Sequence, residues 1–468
     1  MRFKATAREI GAELRPTLAL AGPVVSAELG WMAMAIVDTL IVGRLGAEAI
    51  GAVGLGSTAF LAVAVFGMGL LLGLDTLIAQ AFGAGDLDDC HRSLVQGIFL
   101  AAALTPLLML VVFVAAPGLS ALGVAPSVLR GAVPYIRITS LSTFPLLVFA
   151  ALRRYLQATG HVGPVMFALM SANIVNALGN WALVYGHFGL PVLGVEGSAW
   201  ATTVSRLYML MVVIAYTIWN DRRTGAGLRL AMWRPDPARL RRLIVLGMPA
   251  ALHVTLEVGV FALATALAGR LGAVALAAHQ VVLNMASVTF MVPFGLASAG
   301  AVRVGHALGR RDPIGAARAG WTTLALAATF MSLAGSTFGL LPRTLIHAFT
   351  DDPGVMAVGV GLMYVAAAFQ PFDGVQGVTT GNLRGLGDTH TPMVCNLVAH
   401  WGIGLPIGYA LAFPLGLGVL GLWIGLSVGL VAAGCVLLRV WVVKTRSLRR
   451  GASHPLVESV LAPIESLV

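Results

Sequence analysis

Residues 249–273 read PAALHVTLEVGVFALATALAGRLGA, and residues 23–47 read PVVSAELGWMAMAIVDTLIVGRLGA. Pro23 answers to Pro249. The run Gly43-Arg44-Leu45-Gly46-Ala47 returns unchanged as Gly269-Arg270-Leu271-Gly272-Ala273. At the same spacing Gly69, Ala81, Gly83 and Asp86 return as Gly295, Ala307, Gly309 and Asp312, so residues 249–309 repeat residues 23–83 without a gap. Single Ala or Gly matches mean little in a chain rich in both. A five-residue identity with flanking matches in register is not the product of two merely similar apolar helices. The register still holds where Phe144-Pro145 lies opposite Gln370-Pro371. The chain is an internal duplication, and duplicated apolar segments are a common sign of a transporter built from two halves.

Of the 468 residues, 58% are hydrophobic and 11% charged, where a soluble domain carries roughly 25% charged residues. The mean hydropathy is +0.88. The expectation is an all-α polytopic membrane protein. The net charge of +10 does not point to nucleic acid, because the basic residues sit at the ends of apolar runs and between them. Cys90, Cys395 and Cys435 show no framework spacing, which reads as packing or free thiols, not as disulfides or a metal site. Met1 to Arg15 carries both signs of charge and no small-residue cleavage site, so it reads as a cytoplasmic lead-in, not a signal peptide.

A membrane span needs about 20 apolar residues. Twelve are expected, at roughly 16–42, 50–80, 93–116, 131–156, 163–186, 195–219, 243–268, 276–304, 317–341, 356–382, 392–413 and 418–442. Six spans per half give both halves the same orientation, as parallel repeats have. This divides the chain into an amino-terminal lobe 1–220, a linker 221–242, a carboxy-terminal lobe 243–450 and a tail 451–468. One side of the membrane collects most Lys and Arg, including Arg153, Arg154 and the linker arginines from Arg222 to Arg242. The other side has only Arg44, Arg130, Arg137, Arg270 and Arg343. Both termini, the linker and the tail are therefore expected in the cytoplasm, with the linker arginines near anionic lipid.

Acidic residues inside spans carry the functional signal, since a carboxylate at the bilayer centre costs about 2.5–3.5 kcal/mol. Glu257 lies well inside span seven and Asp373 near the middle of span ten. Asp38 lies in the outer half of span one. These three read as functional groups. Glu28 reads equally well as a structural pair or as a functional group, and Asp75, near Thr76 and Gln80, as part of an interhelical network. Asn173, Asn176 and Asn180 recur at helical spacing. Alone they read as interhelical glue; beside Asp38 a reading as ligands for a dehydrated sodium ion competes with that one. His279, Gln280 and Asn284 are open in the same way. Pro371, followed by Asp373, Gly374 and Gly377, marks a bending point. No phosphate loop, helical His/Glu metal pattern or Ser/His/Asp order is present, which argues against a nucleotide-driven pump or a membrane protease.

Together these residues resemble the multidrug and toxic compound extrusion (MATE) family, NorM-like branch. Val37-Asp38-Thr39 before Gly43-Arg44-Leu45-Gly46 resembles its first-span motif. Asp75-Thr76-Leu77 with Gln80-Ala81-Phe82-Gly83-Ala84-Gly85 resembles its second. Asn176, Asn180-Trp181, Glu257, Ala278-His279-Gln280, Gln370-Pro371-Phe372-Asp373, Leu383-Arg384-Gly385, Gly387-Asp388-Thr389 and Pro392 follow the same pattern. The resemblance covers nearly the whole chain. It implies twelve helices in two six-helix lobes forming a V, and export of amphipathic, often cationic compounds driven by Na+ or H+, in the inner (plasma) membrane and without a cofactor. It places Asp38, Asn176 and Asn180 at the cation-site positions of the first lobe, with Ser198 where a Thr is common. Glu257 and Asp373 take the carboxylate positions of the second. Phe369 stands where a Tyr is common, so a hydroxyl is missing beside Asp373. The protein is expected to act as a monomer on small organic substrates and not on nucleic acid. A flippase for lipid-linked precursors is the alternative. It would want a strongly basic cavity, whereas here only Arg206 is basic well inside a span.

Overall fold

The computed structural model describes residues 7–118, 125–228 and 233–449, and the described residues are helical apart from turns and short links. The tail 451–468 expected in the cytoplasm lies outside them, as do linker residues 229–232. Two compact units result, Ser26–Ala251 in one and Met1–Val25 with Leu252–Val468 in the other.

The first unit takes the later part of α1 (Ala7–Val42), then α2 (Ala47–Leu70), α3 (Gly73–Gly83), α4 (Leu87–Gly118), α5 (Pro126–Ser140), α6 (Thr143–Ala158), α7 (Val162–Tyr185), α8 (Val195–Thr224) and the start of α9 (Pro237–Arg270). The second takes the rest of α9, then α10 (Ala273–Gly309), α11 (Pro313–Leu340), α12 (Pro342–His347), α13 (Pro353–Gly385) and α14 (His390–Asn396). It continues through a π-helical segment (Leu397–Gly404), α15 (Leu405–Ala412) and α16 (Gly418–Arg449). The chain changes unit inside α1 and inside α9, each time just past the repeat proline, Pro23 or Pro249. Eleven of these helical runs are long and apolar enough to cross a membrane, and α5 with α6, bent by 50°, supplies a twelfth. The twelve expected spans are thus present.

The repeated residues have repeated jobs. Gly46 and Gly272, the last glycines of the shared Gly-Arg-Leu-Gly-Ala run, have φ/ψ of 109°/173° and 112°/170°. That region is open essentially to glycine alone. It turns the chain from α1 into α2 and from α9 into α10. Asp86 accepts from the Asp89 amide at 2.9 Å and Asp312 from the Gly315 amide at 2.8 Å, so each caps the helix that follows. Gly69 and Gly295 mark close approaches. A Cβ on Gly69 would lie 2.7 Å from Ala251 Cα, and one on Gly295 would lie 2.5 Å from Val25 Cγ2 and 3.0 Å from its backbone nitrogen. Val25 and Ala251 are themselves repeat partners. The opening turns of each half therefore pack on the second span of the other.

At the bend between α5 and α6, four hydroxyls bond back to carbonyls of the chain. Thr139, Ser140, Ser142 and Thr143 donate to the carbonyls of Tyr135, Arg137, Thr139 and Ser140. Backbone groups freed in apolar surroundings need such partners.

Gly69→Ala and Gly295→Ala are expected to lower the melting temperature of the purified protein, because overpacking against a neighbouring backbone costs about 1–3 kcal/mol. Gly54, also within α2, has nothing within 4 Å of its would-be Cβ. Gly54→Ala should be neutral or stabilising, since Ala is favoured over Gly in a helix by roughly 0.5–1 kcal/mol. Equal behaviour of the three variants in thermal unfolding would contradict the close-approach account.

Candidate functional site

In the unit Ser26–Ala251, α1, α7 and α8 converge on Asp38, which is buried. Asn180 Nδ2 donates to Asp38 Oδ1 at 2.7 Å, and Thr202 Oγ1 reaches Asp38 Oδ2 at 3.1 Å. The Thr202 hydroxyl also reaches the Ser198 carbonyl at 3.0 Å. It has one proton for two acceptors. It donates to an ionised Asp38, or it turns to Ser198 and accepts from a protonated one. The side-chain oxygens of Asn176, Asn180 and Ser198 are buried and complete no hydrogen bond. A carboxylate beside uncharged oxygens is a donor set for a hard cation such as Na+. Asp38, Asn176, Asn180 and Ser198 thus fall on one cluster. Thr202 was missed in the sequence, where its only signal is a position one turn beyond Ser198. Asn173 stands apart, tying α7 to α1 through the Gly30 carbonyl at 2.9 Å.

Two more acids of this unit are paired. Glu28 on α1 meets Arg153, and Asp75 on α3 lies 3.6 Å from Arg154. Both arginines are buried in α6, within the expected span 131–156. They have partners inside the protein, and their charge is no guide to which side of the membrane the loop occupies. Breaking such a buried pair leaves an uncompensated charge and typically costs about 3–5 kcal/mol.

In the other unit Glu257 sits on α9, with His253 one turn earlier and its Nε2 3.6 Å from Glu257 Oε2. His253 Nδ1 lies 3.2 Å from the Pro392 carbonyl. Asp373, on α13, interacts electrostatically with Glu257, as does His400 of the π-helical segment. Trp401, beside His400, donates to the Leu256 carbonyl at 3.1 Å and ties that segment to α9 next to Glu257. Among the described residues no Lys or Arg pairs with Glu257 or Asp373. Gln280 and Asn284 are exposed and form no hydrogen bond to these carboxyls. Phe369 is buried, its ring 6.0 Å from that of Trp423.

His279 has a defined tautomer. The Trp423 indole can only donate, and it does so to His279 Nδ1 at 3.0 Å. The ring proton is therefore on Nε2, which donates to Thr265 Oγ1 at 2.9 Å, and Thr265 donates on to the Phe261 carbonyl. This chain ties α9, α10 and α16 through a neutral imidazole.

The MatE family model matches residues 23–182 and 249–410, well over half the chain. The chain belongs to the MatE family. The two matches begin at the repeat prolines Pro23 and Pro249. The probable multidrug resistance protein NorM of Mesorhizobium japonicum is 36% identical over 441 residues, covering 93% of this chain and 94% of that protein. The multidrug resistance protein NorM of Burkholderia vietnamiensis is 35% identical over 439 residues, covering 92% and 94%. Among solved structures, the eukaryotic MATE transporter AtDTX14 superposes with a TM-score of 0.83 at 22% identity, over 94% of this chain and 99% of that one. An outward-facing multidrug resistance MATE transporter of the MOP superfamily gives 0.85 at 19%, over 94% and 97%. The fold is the MATE fold, all-α and multi-pass.

Within the matched region, Asp388 of Gly387-Asp388-Thr389 links the turn after α13 to α16 through Lys444 Nζ at 2.7 Å, and it accepts from the Thr391 amide at 3.0 Å. Burial pushes its carboxyl up. The Lys444 charge and the hydrogen bonds from Lys444 and Thr391 more than reverse that, so it titrates below the ordinary aspartate value. A carboxyl lowered in the folded state contributes stability above its unfolded pKa and loses it as pH falls through the folded one. Asp388→Asn should therefore melt below wild type at neutral pH, with the gap closing in acid as pH passes below the ordinary aspartate range. A gap independent of pH would mean that the charge on Asp388 is not what holds the turn.

Proposed function

We propose that this protein is a multidrug efflux transporter, a secondary active exporter of small amphipathic or cationic organic compounds in exchange for Na+ or H+. The observation that carries this reading is a pair of acids, Glu257 and Asp373, inside membrane-spanning helices of a MatE chain with no Lys or Arg partner among the described residues. Two carboxylates in one low-dielectric site repel each other, and a proton or sodium ion entering the site relieves that repulsion. The ion drives export only through a difference in its affinity between two conformations. Pro371 within α13 removes one helical hydrogen bond next to Asp373 and gives that helix a place to bend. Asp38 with Asn176, Asn180 and Ser198, and now Thr202, is a second cation site on this reading, whereas Glu28 and Asp75 are structural.

The same reading takes residues 1–220 and 243–450 as two lobes joined by the linker 221–242. It places the protein as a monomer in the inner membrane, with both termini cytoplasmic. The names of the relatives support drug-like substrates, and the apolar, weakly charged spans suit them, because apolar burial is non-directional.

Glu257→Gln and Asp373→Asn are each expected to lose ion-driven efflux of a cationic dye from vesicles by at least about tenfold, the scale of typical coupling energies, while still folding and binding the dye. Wild-type efflux with wild-type ion dependence in both variants would exclude coupling through this pair.

A further inference from the structure

Arg206 lies deep in α8 (Val195–Thr224), about 16 Å from its start at 1.5 Å per residue. An arginine at such depth is costly unless it is held. Here Nη1 donates to Ser142 Oγ at 2.7 Å, and the guanidinium carbon lies 4.5 Å from the centre of the Phe60 ring, within cation–π range. Ser142 sits in the bend between α5 and α6, where its own proton goes to the Thr139 carbonyl, so its oxygen acts toward Arg206 only as an acceptor. The guanidinium is anchored on both contacts, and the residue is partly buried.

Arg206 is also one turn beyond Thr202, whose hydroxyl reaches Asp38. The charges of Arg206 and Asp38 act on each other, and the buried Tyr135 of α5 is the other titratable group that faces both. No ion-pair contact joins Arg206 to Asp38 among the described residues. The positive charge is near enough to be felt and too firmly held elsewhere to bind.

We propose that Arg206 is a tethered competitor for Asp38, a fixed charge that weakens cation binding there enough for the bound ion to leave. This rests on the reading of Asp38 as a coupling-cation site. A carboxylate with buried, unsatisfied oxygens beside it would otherwise hold a cation tightly, and a transport site must also release what it binds. At an effective dielectric near 20, two like charges held close together repel enough to change an affinity by on the order of tenfold. The neutral amides and hydroxyls around Asp38 supply no such opposing charge.

Equilibrium cation binding to the purified full-length protein tests this, with sodium alone at fixed pH and protons alone in sodium-free buffer as the two arms. Arg206→Gln and Arg206→Met are expected to tighten binding of the coupling cation by about tenfold. Arg206→Lys should stay near wild type, and Asp38→Asn should cancel the tightening. Ser142→Asp sets a carboxylate against the guanidinium and should also tighten binding, which keeps the test open where loss of Arg206 costs the fold. Unchanged or weaker binding of both cations in Arg206→Gln or in Ser142→Asp overturns the proposal, as does tightening that survives Asp38→Asn. Binding is read without transport. A protein that shows the tightening but exports no drug loses the efflux reading and keeps this one.

Discussion

Close approach of helices at two glycines is the constraint on which the duplicated architecture depends. Helices in lipid gain little from apolar burial against one another, because lipid tails are as apolar as leucine. Contact rests on small residues that let backbones touch. Gly69 receives Ala251, and Gly295 receives Val25. These contacts attach the opening turns of each half to the other half's second span, and so require the chain to change unit within α1 and α9. Neither half is a self-contained package of its own consecutive residues. This gives a physical reason why the two copies stay in register. Loss of the glycine in one copy would displace the segment contributed by the other.

The second constraint is electrostatic and divides the acids of the chain. In the unit Ser26–Ala251, Glu28 and Asp75 each contact an arginine, and Asp38 has one nearby that does not touch it. In the other unit, Glu257 has imidazoles nearby and Glu257 and Asp373 have each other. A low-dielectric interior makes a paired acid a structural element and an unpaired one a site that gains from an added positive charge. The proposed roles therefore follow from what each carboxylate lacks more than from how deeply it is buried.

Much of this was legible in the sequence because period and repetition are one-dimensional signals. The twelve spans follow from apolar run lengths, and the shared Gly-Arg-Leu-Gly-Ala run marks a turn that needs glycine at Gly46 and Gly272. Cross-helix partners were not legible. Nothing local says that Arg153 meets Glu28, 125 positions away, and two adjacent arginines at the end of an apolar run read as a marker of one side of the membrane. Thr202 is one of many hydroxyls in spans, most of which bond back to their own helix. Only the fold shows that it also reaches Asp38. Gln280 and Asn284 fit the helical pattern, but a pattern alone does not say which face of α10 is covered.

The Asp38 cluster shows why the unmatched groups matter most. Its paired parts, Asn180 and Thr202, already give the carboxylate two hydrogen bonds. The buried oxygens of Asn176, Asn180 and Ser198 complete no hydrogen bond, and such uncharged oxygens beside a carboxylate suit a hard cation. A site built only from these features would be a trap. An exporter needs one that empties in each cycle, so something close by must oppose the ion without occupying its place. A charge anchored by Ser142 and Phe60 one turn away meets that requirement, since it stays put while the ion comes and goes. On this reading affinity is set by the balance of two fixed charges, and the neutral ligands decide which cation fits.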